Sequence, residues 1–350
     1  MNCLEIWENP TIFNQYNFNS IDNEVALIQQ RRASYAEFDK TIKELNNRID
    51  IDFIKGSELI EGNQIFELRN INFDDEFEEL YETNIFNKKI KNPTIDDFFF
   101  GEYRTVFKYG RLTIYRKDPQ TGNIYQFKCS MPKHLTALKN SLDLARRENS
   151  LIEAGNKIDL TTTFIEKTHE KMFEDYIQIN SRLSKVGREI IKPEGYGKFR
   201  RTIFINGAEH KYNVAVEGTS WSSTDSNNVE KEMKELVEKY NTSTLNPILK
   251  AILFKVCFIK IHPFRDGNGR LSRLLLNYML VRNGFPTVTI RGTHKDEYFN
   301  ALNVAIEDND FTPIIELVTE NLNQRLNQYS TLFNKLNLST EETSIDNLEI

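Results

Sequence analysis

The sequence predicts a mainly α-helical chain with a small inserted β segment and a β-hairpin, and three observations carry that prediction. Leu249, Ile252, Leu253, Val256 and Cys257 recur at i, i+3, i+4, i+7 and i+8, which makes one apolar helix face. Leu271, Leu274, Leu275 and Met279 mark a second such face shortly after it. Between Asn92 and Pro132, and again between Thr202 and Val216, short β-rich runs alternate with turn residues.

In chain order, residues 1–20 mix aromatic and polar side chains without a period and read as a loop or short arm. Asp22 to Arg48 is helical through Val25, Ile28, Ala36, Phe38, Ile42 and Leu45, and a shorter helix from Asp52 to Glu61 stops at Gly62. The acidic run Asp74 to Glu82 reads as a solvated helix face. Tyr103 to Phe107, Arg111 to Tyr115 and Tyr125 to Cys129 read as strands, with Gly110 and the run Asp118 to Asn123 as turns. Helices resume from His134 to Asn149 and Thr162 to Val186, followed by strands at Thr202 to Ile205 and Lys211 to Val216. Asn246 and Pro247 offer an N-cap and a proline at the first helical position, and Asn283-Gly284 stops the second apolar helix. The last helices run from Lys295 to Glu307 and Thr312 to Leu336, before a polar tail from Ser339.

Composition narrows the function classes. The chain has 350 residues, 39% hydrophobic and 27% charged, an ordinary globular balance. A formal charge of −6 argues against broad binding to nucleic acid or to an anionic membrane, which usually needs a basic face. Cys3, Cys129 and Cys257 are odd in number and lack metal spacing, so a reducing, cytoplasmic setting is expected. The N-terminal residues lack a signal-peptide pattern, and no stretch is apolar over the roughly 18 residues that a membrane span needs.

The two apolar helices bracket the run His262-Pro-Phe-Arg-Asp-Gly-Asn-Gly-Arg270, with Arg273 close behind. Its residue types suit a polyphosphate. Gly267 and Gly269 let backbone N–H groups approach an anion, and Asn268 tolerates the same backbone geometry. A helix beginning here would turn its free N–H groups and positive dipole end toward that anion. Arg270 and Arg273 share a helix face and offer two planar donor forks to phosphate oxygens. Asp266 is the natural holder of a magnesium ion bridging those oxygens. His262 is the one nearby side chain that exchanges a proton near neutral pH. Pro263 and the glycines make a turn, so His262 and Asp266 do not read as a helical metal pair. The other histidines, His134, His169, His210 and His294, lack such company and read as surface or structural residues.

The stretch resembles the signature of Fic domains, H-P-F-x-[DE]-G-N-G-R-x-x-R, with every fixed position filled. The resemblance extends upstream to Asn246 and downstream to Tyr298. It implies a Fic-type helical bundle and an AMP transferase, in which a Ser, Thr or Tyr hydroxyl of a target protein attacks the α-phosphate of ATP and pyrophosphate leaves. It further implies His262 as base, Asp266 holding Mg2+ (or Mn2+), and Gly267, Asn268 and Gly269 against the α-phosphate. Arg270 and Arg273 would then take the outer phosphates, and Tyr298 the adenine pocket. By position, Phe199 to Val216 resemble the family's β-hairpin flap, with Asn206 and Gly207 near its tip, where an extended segment of the protein substrate would add as a strand. The family's proline-rich flap tip is absent here.

Upstream, Ser57-Glu-Leu-Ile-Glu-Gly62 resembles the family's inhibitory motif, S/T-x-x-x-E-G/N. Ser57 and Glu61 lie on one helix face, and Gly62 ends the helix. In that reading Glu61 pairs with Arg273 and displaces the γ-phosphate. The expected organisation is a helical region 1–95 carrying residues 57–62, a β-rich insertion 96–132, a catalytic unit 133–337 with flap 199–216 and motif 262–273, and a tail 338–350. A homodimer is the candidate assembly. The rival functions are AMP removal using Glu61, and a nucleotide-binding interaction module without turnover; Gly269 argues against the kinase-like variants, which carry lysine there.

Overall fold

The structure, a computed structural model, describes residues 4–34, 39–60, 102–108, 111–117, 124–130, 133–174, 196–205, 208–210, 219, 221–290 and 294–338. The acidic run Asp74 to Glu82, Glu61 and Gly62 of the inhibitory motif, Asn206 and Gly207, and the polar tail lie outside the described residues. Two 3-10 turns, Glu5–Glu8 and Pro10–Phe13, open the described chain. Helices follow as α1 (Asn19–Ser34), α2 (Asp39–Ile60), α3 (Lys133–Glu153), α4 (Thr162–Met172), α5 (Val229–Thr242), α6 (Pro247–Ile261), α7 (Asn268–Arg282), α8 (Lys295–Glu307) and α9 (Thr312–Leu338). Three strands, β1 (Glu102–Lys108), β2 (Arg111–Lys117) and β3 (Ile124–Ser130), form an antiparallel meander in the order β1-β2-β3. A separate antiparallel pair joins β4 (Ile203–Ile205) to β5 (Ala208–His210).

α6 is apolar almost all round and buried along nearly its whole length, which makes it the central helix of the bundle. α5, α7, α8 and α9 pack around it, and α3 covers the far side of α7. The start of α6 is built as its sequence foretells: the Asn246 side chain accepts the Ile248 N–H at 2.9 Å, and Pro247 occupies the first turn. α4 starts the same way, with the Thr161 hydroxyl accepting the Phe164 N–H at 3.1 Å. At the other end of the pair, α7 gives way at Asn283, and Gly284 takes φ +86°.

Two expectations are corrected, and one helix goes beyond them. The arm at residues 4–13 is part of the core, because Leu4, Ile6, Trp7 and Phe13 are all buried in the main cluster. The expected break between Arg48 and Asp52 does not occur, since α2 runs unbroken from Asp39 to Ile60. Asp50 and Asp52 are ion-pair partners that hold this part of α2 against its neighbours. Asp50 is fully buried against Lys139 and Arg146, and Asp52 meets Arg325 of α9. Ile203–Ile205 pairs with Ala208–His210, with Ile205 opposite Ala208, and the strand expected from Lys211 to Val216 lies outside the described residues. Lastly, α5 had no counterpart in the sequence reading, although Val229, Met233, Leu236, Val237 and Tyr240 form a complete buried face at helical spacing.

Asp50 anchors α2 to the bundle. Arg146 grips it with both terminal nitrogens, at 2.7 and 2.9 Å, and Lys139 adds a contact at 3.1 Å. Burial alone would raise this carboxyl, but the Arg146 and Lys139 cations overcome it and hold it below the ordinary carboxylate range. The pairs therefore stabilise fully above about pH 4 and weaken as pH falls below it. Asp50→Asn is expected to cost about 3 kcal/mol at pH 7, since it leaves Lys139 and Arg146 with only the half-exposed Asp143 as anion. In thermal melts, the gap between wild type and Asp50→Asn should narrow as pH is lowered from 7 to 3.

Candidate active site

The site forms where α6 ends and α7 begins. His262 caps α6 in the left-handed region, φ 52° and ψ 60°, with its N–H on the Phe258 carbonyl at 2.9 Å. A non-glycine residue held there stores strain, which the surroundings must over-determine. Arg200, on the segment leading into β4, supplies much of that constraint. Its Nε donates to the His262 carbonyl at 2.6 Å, its Nη2 to the Ile261 carbonyl at 2.8 Å and to that of Thr224, and its own N–H to the Pro263 carbonyl at 2.7 Å. Burial pushes the Arg200 guanidinium down to about 10, against the opposing pull of Asp225 and Glu232, so it remains charged at neutral pH.

The turn from Phe264 to Gly267 is fastened from inside. Asn268 accepts the Phe264 N–H at 2.9 Å and donates to the Phe264 carbonyl at 2.7 Å. Its side chain, expected on the α-phosphate, is thus committed to the turn; its backbone N–H is the first of α7. Gly267, the N-cap of α7, has φ +76°, and a Cβ there would lie 2.5 Å from the Phe173 ring. Both facts demand glycine. Asp266 points outward with its side chain 64% exposed, accepts the Gly267 N–H on Oδ1 at 2.5 Å, and has Arg270 at 3.7 Å from Oδ2.

Behind the turn, Arg270 lies over the Phe173 ring at 5.1 Å, and Arg273 is almost fully buried one turn further along α7. Arg273 Nε donates to the Ser57 hydroxyl and its Nη2 to the Ser57 carbonyl, both at 2.9 Å. Ser57 reaches it because Gly56 lets α2 press close: a Cβ at 56 would come within 2.7 Å of the Thr289 side chain. Tyr298 is fully buried, and its hydroxyl meets Lys255 of α6 and Arg273. Burial works against a tyrosinate at 298, but the Lys255 and Arg273 cations more than offset it and draw the phenol down; burial and Arg273 lower Lys255 in turn. Its hydroxyl is thus engaged within the protein, and its expected place against adenine rests on the resemblance alone.

The structure thus brings His262, Asp266, Gly267, Asn268, Gly269, Arg270, Arg273 and Ser57 to one end of the α6–α7 pair. Sequence reasoning missed Arg200, Gly56 and Lys255, and it assigned His169 no part in the site. A signal for Arg200 existed in the run Gly197-Lys-Phe-Arg200, but its partners are backbone carbonyls between 24 and more than sixty residues away, which no spacing reveals. Among the described residues, no group of three or more His, Cys, Asp or Glu is placed to hold a metal. One outward carboxylate fits a hard cation such as Mg2+ that keeps its waters and binds chiefly through a nucleotide's phosphates.

Residues 159–280 match the Fic/DOC family. Over that stretch the chain is similar to a Fic domain, and the turn at 262–273 falls within it. Curated relatives include protein adenylyltransferase fic-1 of Caenorhabditis elegans, 32% identical over 123 residues that make up 34% of this chain and 22% of the relative. Protein adenylyltransferase Fic of Aedes aegypti is 35% identical over 109 residues, 30% of this chain and 22% of the relative. The match thus spans less than a quarter of either relative's length. Among solved structures, a Fic domain-containing signaling protein from Bacteroides thetaiotaomicron aligns over 91% of this chain and 99% of its own, with 19% identity and a TM-score of 0.49. Fic-1 of C. elegans aligns over 58% of this chain and 52% of its own, at 22% identity and a TM-score of 0.41.

Gly267→Ala is expected to destabilise the chain by about 2 kcal/mol or more, since it adds a left-handed penalty to an overpacked contact. Urea unfolding would read this as a lower midpoint with the slope unchanged.

Proposed function

We propose that the protein transfers AMP from ATP to a Ser, Thr or Tyr hydroxyl of another protein, and that α2 restrains this activity from within the chain. The observation that supports the transfer is the signature turn, with His262 at the cap of α6 and the free N–H end of α7 beside it. In this reading the α-phosphate lies at that helix end, facing the N–H groups of Asn268 and Gly269. Arg270 and Arg273 take the outer phosphates. Asp266 would hold Mg2+ or Mn2+, which supplies charge neutralisation across the α- and β-phosphates. The attacking hydroxyl forms its bond to the α-phosphorus as the bond to the bridging oxygen breaks; His262 takes the proton and pyrophosphate leaves. The names of the relatives, protein adenylyltransferases, support the same chemistry.

The β4–β5 pair would present the target's extended segment by strand addition, as a flap over residues 199–216. Helices before residue 96 would carry the brake, residues 133–337 the catalytic unit, and the β1–β3 meander the insertion between them. A reducing compartment such as the cytoplasm is the proposed setting, on the odd number of cysteines in the sequence and their lack of metal spacing. Among the described residues no helix is long and apolar enough to cross a membrane.

The brake rests on Ser57. The guanidinium reserved for the outer phosphate is already engaged by the hydroxyl and carbonyl of α2, in the same motif as Glu61. Glu61 would complete the capture with a charge-assisted pair, leaving ATP to bind in a pose unsuited to in-line attack.

The test is incubation with α-labelled and γ-labelled ATP. Protein-bound α label is expected, raised at least about tenfold in Glu61→Gly and lost by about a hundredfold or more in His262→Ala. Ser57→Ala should release the brake in part, by about fivefold, as one hydrogen bond is removed. Transfer of γ label alone, or of neither, would reject the proposal, and an unchanged rate in Glu61→Gly would reject the brake.

A further inference from the structure

We infer that His169 is a positioning residue for the signature turn: its imidazole, in the neutral Nε2–H form, fixes the Asp266–Gly267 peptide and so aims the Asp266 carboxylate outward. The inference rests on the reading of Asp266 as the carboxylate that meets the nucleotide's metal ion. It gives a function to a histidine that lies in α4, about a hundred residues upstream of the turn, and that no catalytic step uses.

Both ring nitrogens of His169 are engaged. The Gly197 N–H points at Nδ1 at 2.9 Å, and since a backbone N–H donates, Nδ1 must be the acceptor and carries no proton. The proton of the neutral ring is then on Nε2, which donates to the Asp266 carbonyl at 3.0 Å. The ring cannot turn over without losing both bonds. It is also stacked flat on Phe264, with centroids 3.8 Å apart and planes 6° from parallel, and on Phe173 at 4.6 Å.

Peptide planarity converts that bond into an aim. Because the C=O of Asp266 and the N–H of Gly267 point to opposite edges of one plane, holding the carbonyl toward His169 turns the N–H away from it. The Asp266 carboxylate accepts that N–H on the far edge. A rotated peptide would deprive the carboxylate of its tether and present the N–H to the imidazole. Gly267 makes such a rotation sterically open, having no side chain, so the turn needs an external constraint. His169 provides it, while its other nitrogen ties down Gly197, three residues before the Arg200 that grips His262. One imidazole therefore joins the base side and the metal side of the turn.

Three substitutions separate the two bonds. His169→Phe keeps the ring stack and loses both; His169→Asn keeps an acceptor near Nδ1 and loses the reach to Asp266; His169→Gln keeps a donor near the Nε2 position. The first readout is binding of a fluorescent, non-hydrolysable ATP analogue titrated with Mg2+. The half-saturating Mg2+ is expected to rise by about fivefold to tenfold in His169→Phe and His169→Asn, and to return to within about twofold of wild type in His169→Gln. Rescue by glutamine alone would not follow from a purely structural role, which the aromatic variant would satisfy better. The second readout needs no nucleotide: the imidazole 15N shifts of wild-type protein should show a neutral ring protonated on Nε2, and the Gly267 amide should exchange faster in His169→Phe than in His169→Gln. A folded His169→Phe with unaltered Mg2+ dependence and exchange, or a ring protonated on Nδ1, overturns the inference. Should wild type bind no ATP analogue, the reading of the active site fails, and the 15N shifts and amide exchange still decide whether His169 governs the turn.

Discussion

The structure depends on how the C-terminal end of α6 is held. That helix finishes on an L-residue at positive φ, followed at once by proline, so the carbonyls of Ile261, His262 and Pro263 point away from any helical partner. Arg200 collects all three, two through its guanidinium and one through its backbone N–H. A planar fork that stays charged at neutral pH suits the task, because it satisfies divergent acceptors at once. The imidazole of His262 is presented at the site because its backbone has nowhere else to go.

A second constraint is the management of buried cations. Arg273 and Lys255 lie deep between α6, α7 and α8, where an unpartnered charge would be costly. Tyr298 meets both from behind, and Ser57 meets Arg273 from α2. In the proposed function the same guanidinium is wanted by an outer phosphate, so the contact that docks α2 and the contact that restrains activity are one. α2 is positioned for this by Asp50 and Asp52, anchored on α3 and α9, and by the missing side chain of Gly56. In that proposal the brake would be carried by a helix whose other anchors lie on elements remote from the turn, and releasing Arg273 need not unfold them.

Much of this was legible along the chain. The two apolar faces around the turn, the cap at Asn246-Pro247 and the stop at Asn283-Gly284 all rest on local rules, and the structure builds them as read. The break expected between Arg48 and Asp52 is absent, and the carboxylates Asp50 and Asp52 there find their partners on helices roughly ninety and more residues away. α5 shows the reverse case, a face of five apolar positions that periodicity alone could have revealed. Asn268 and Tyr298 were read as nucleotide contacts from the motif, yet their polar atoms are engaged within the protein, by the Phe264 backbone and by Lys255.

By itself the sequence determined which chemistry is present and where the helices that carry it start and stop, since residue type, periodicity and capping are local properties. Only the tertiary structure decided which groups are free to use that chemistry. The Asn268 amide, the His169 imidazole, the Arg200 fork and the Ser57 hydroxyl each find partners distant in sequence or hidden in backbone atoms. Hydrogen bonds form between atoms that packing brings within about 3 Å, and that proximity is set by the fold as a whole and not by neighbours in the chain.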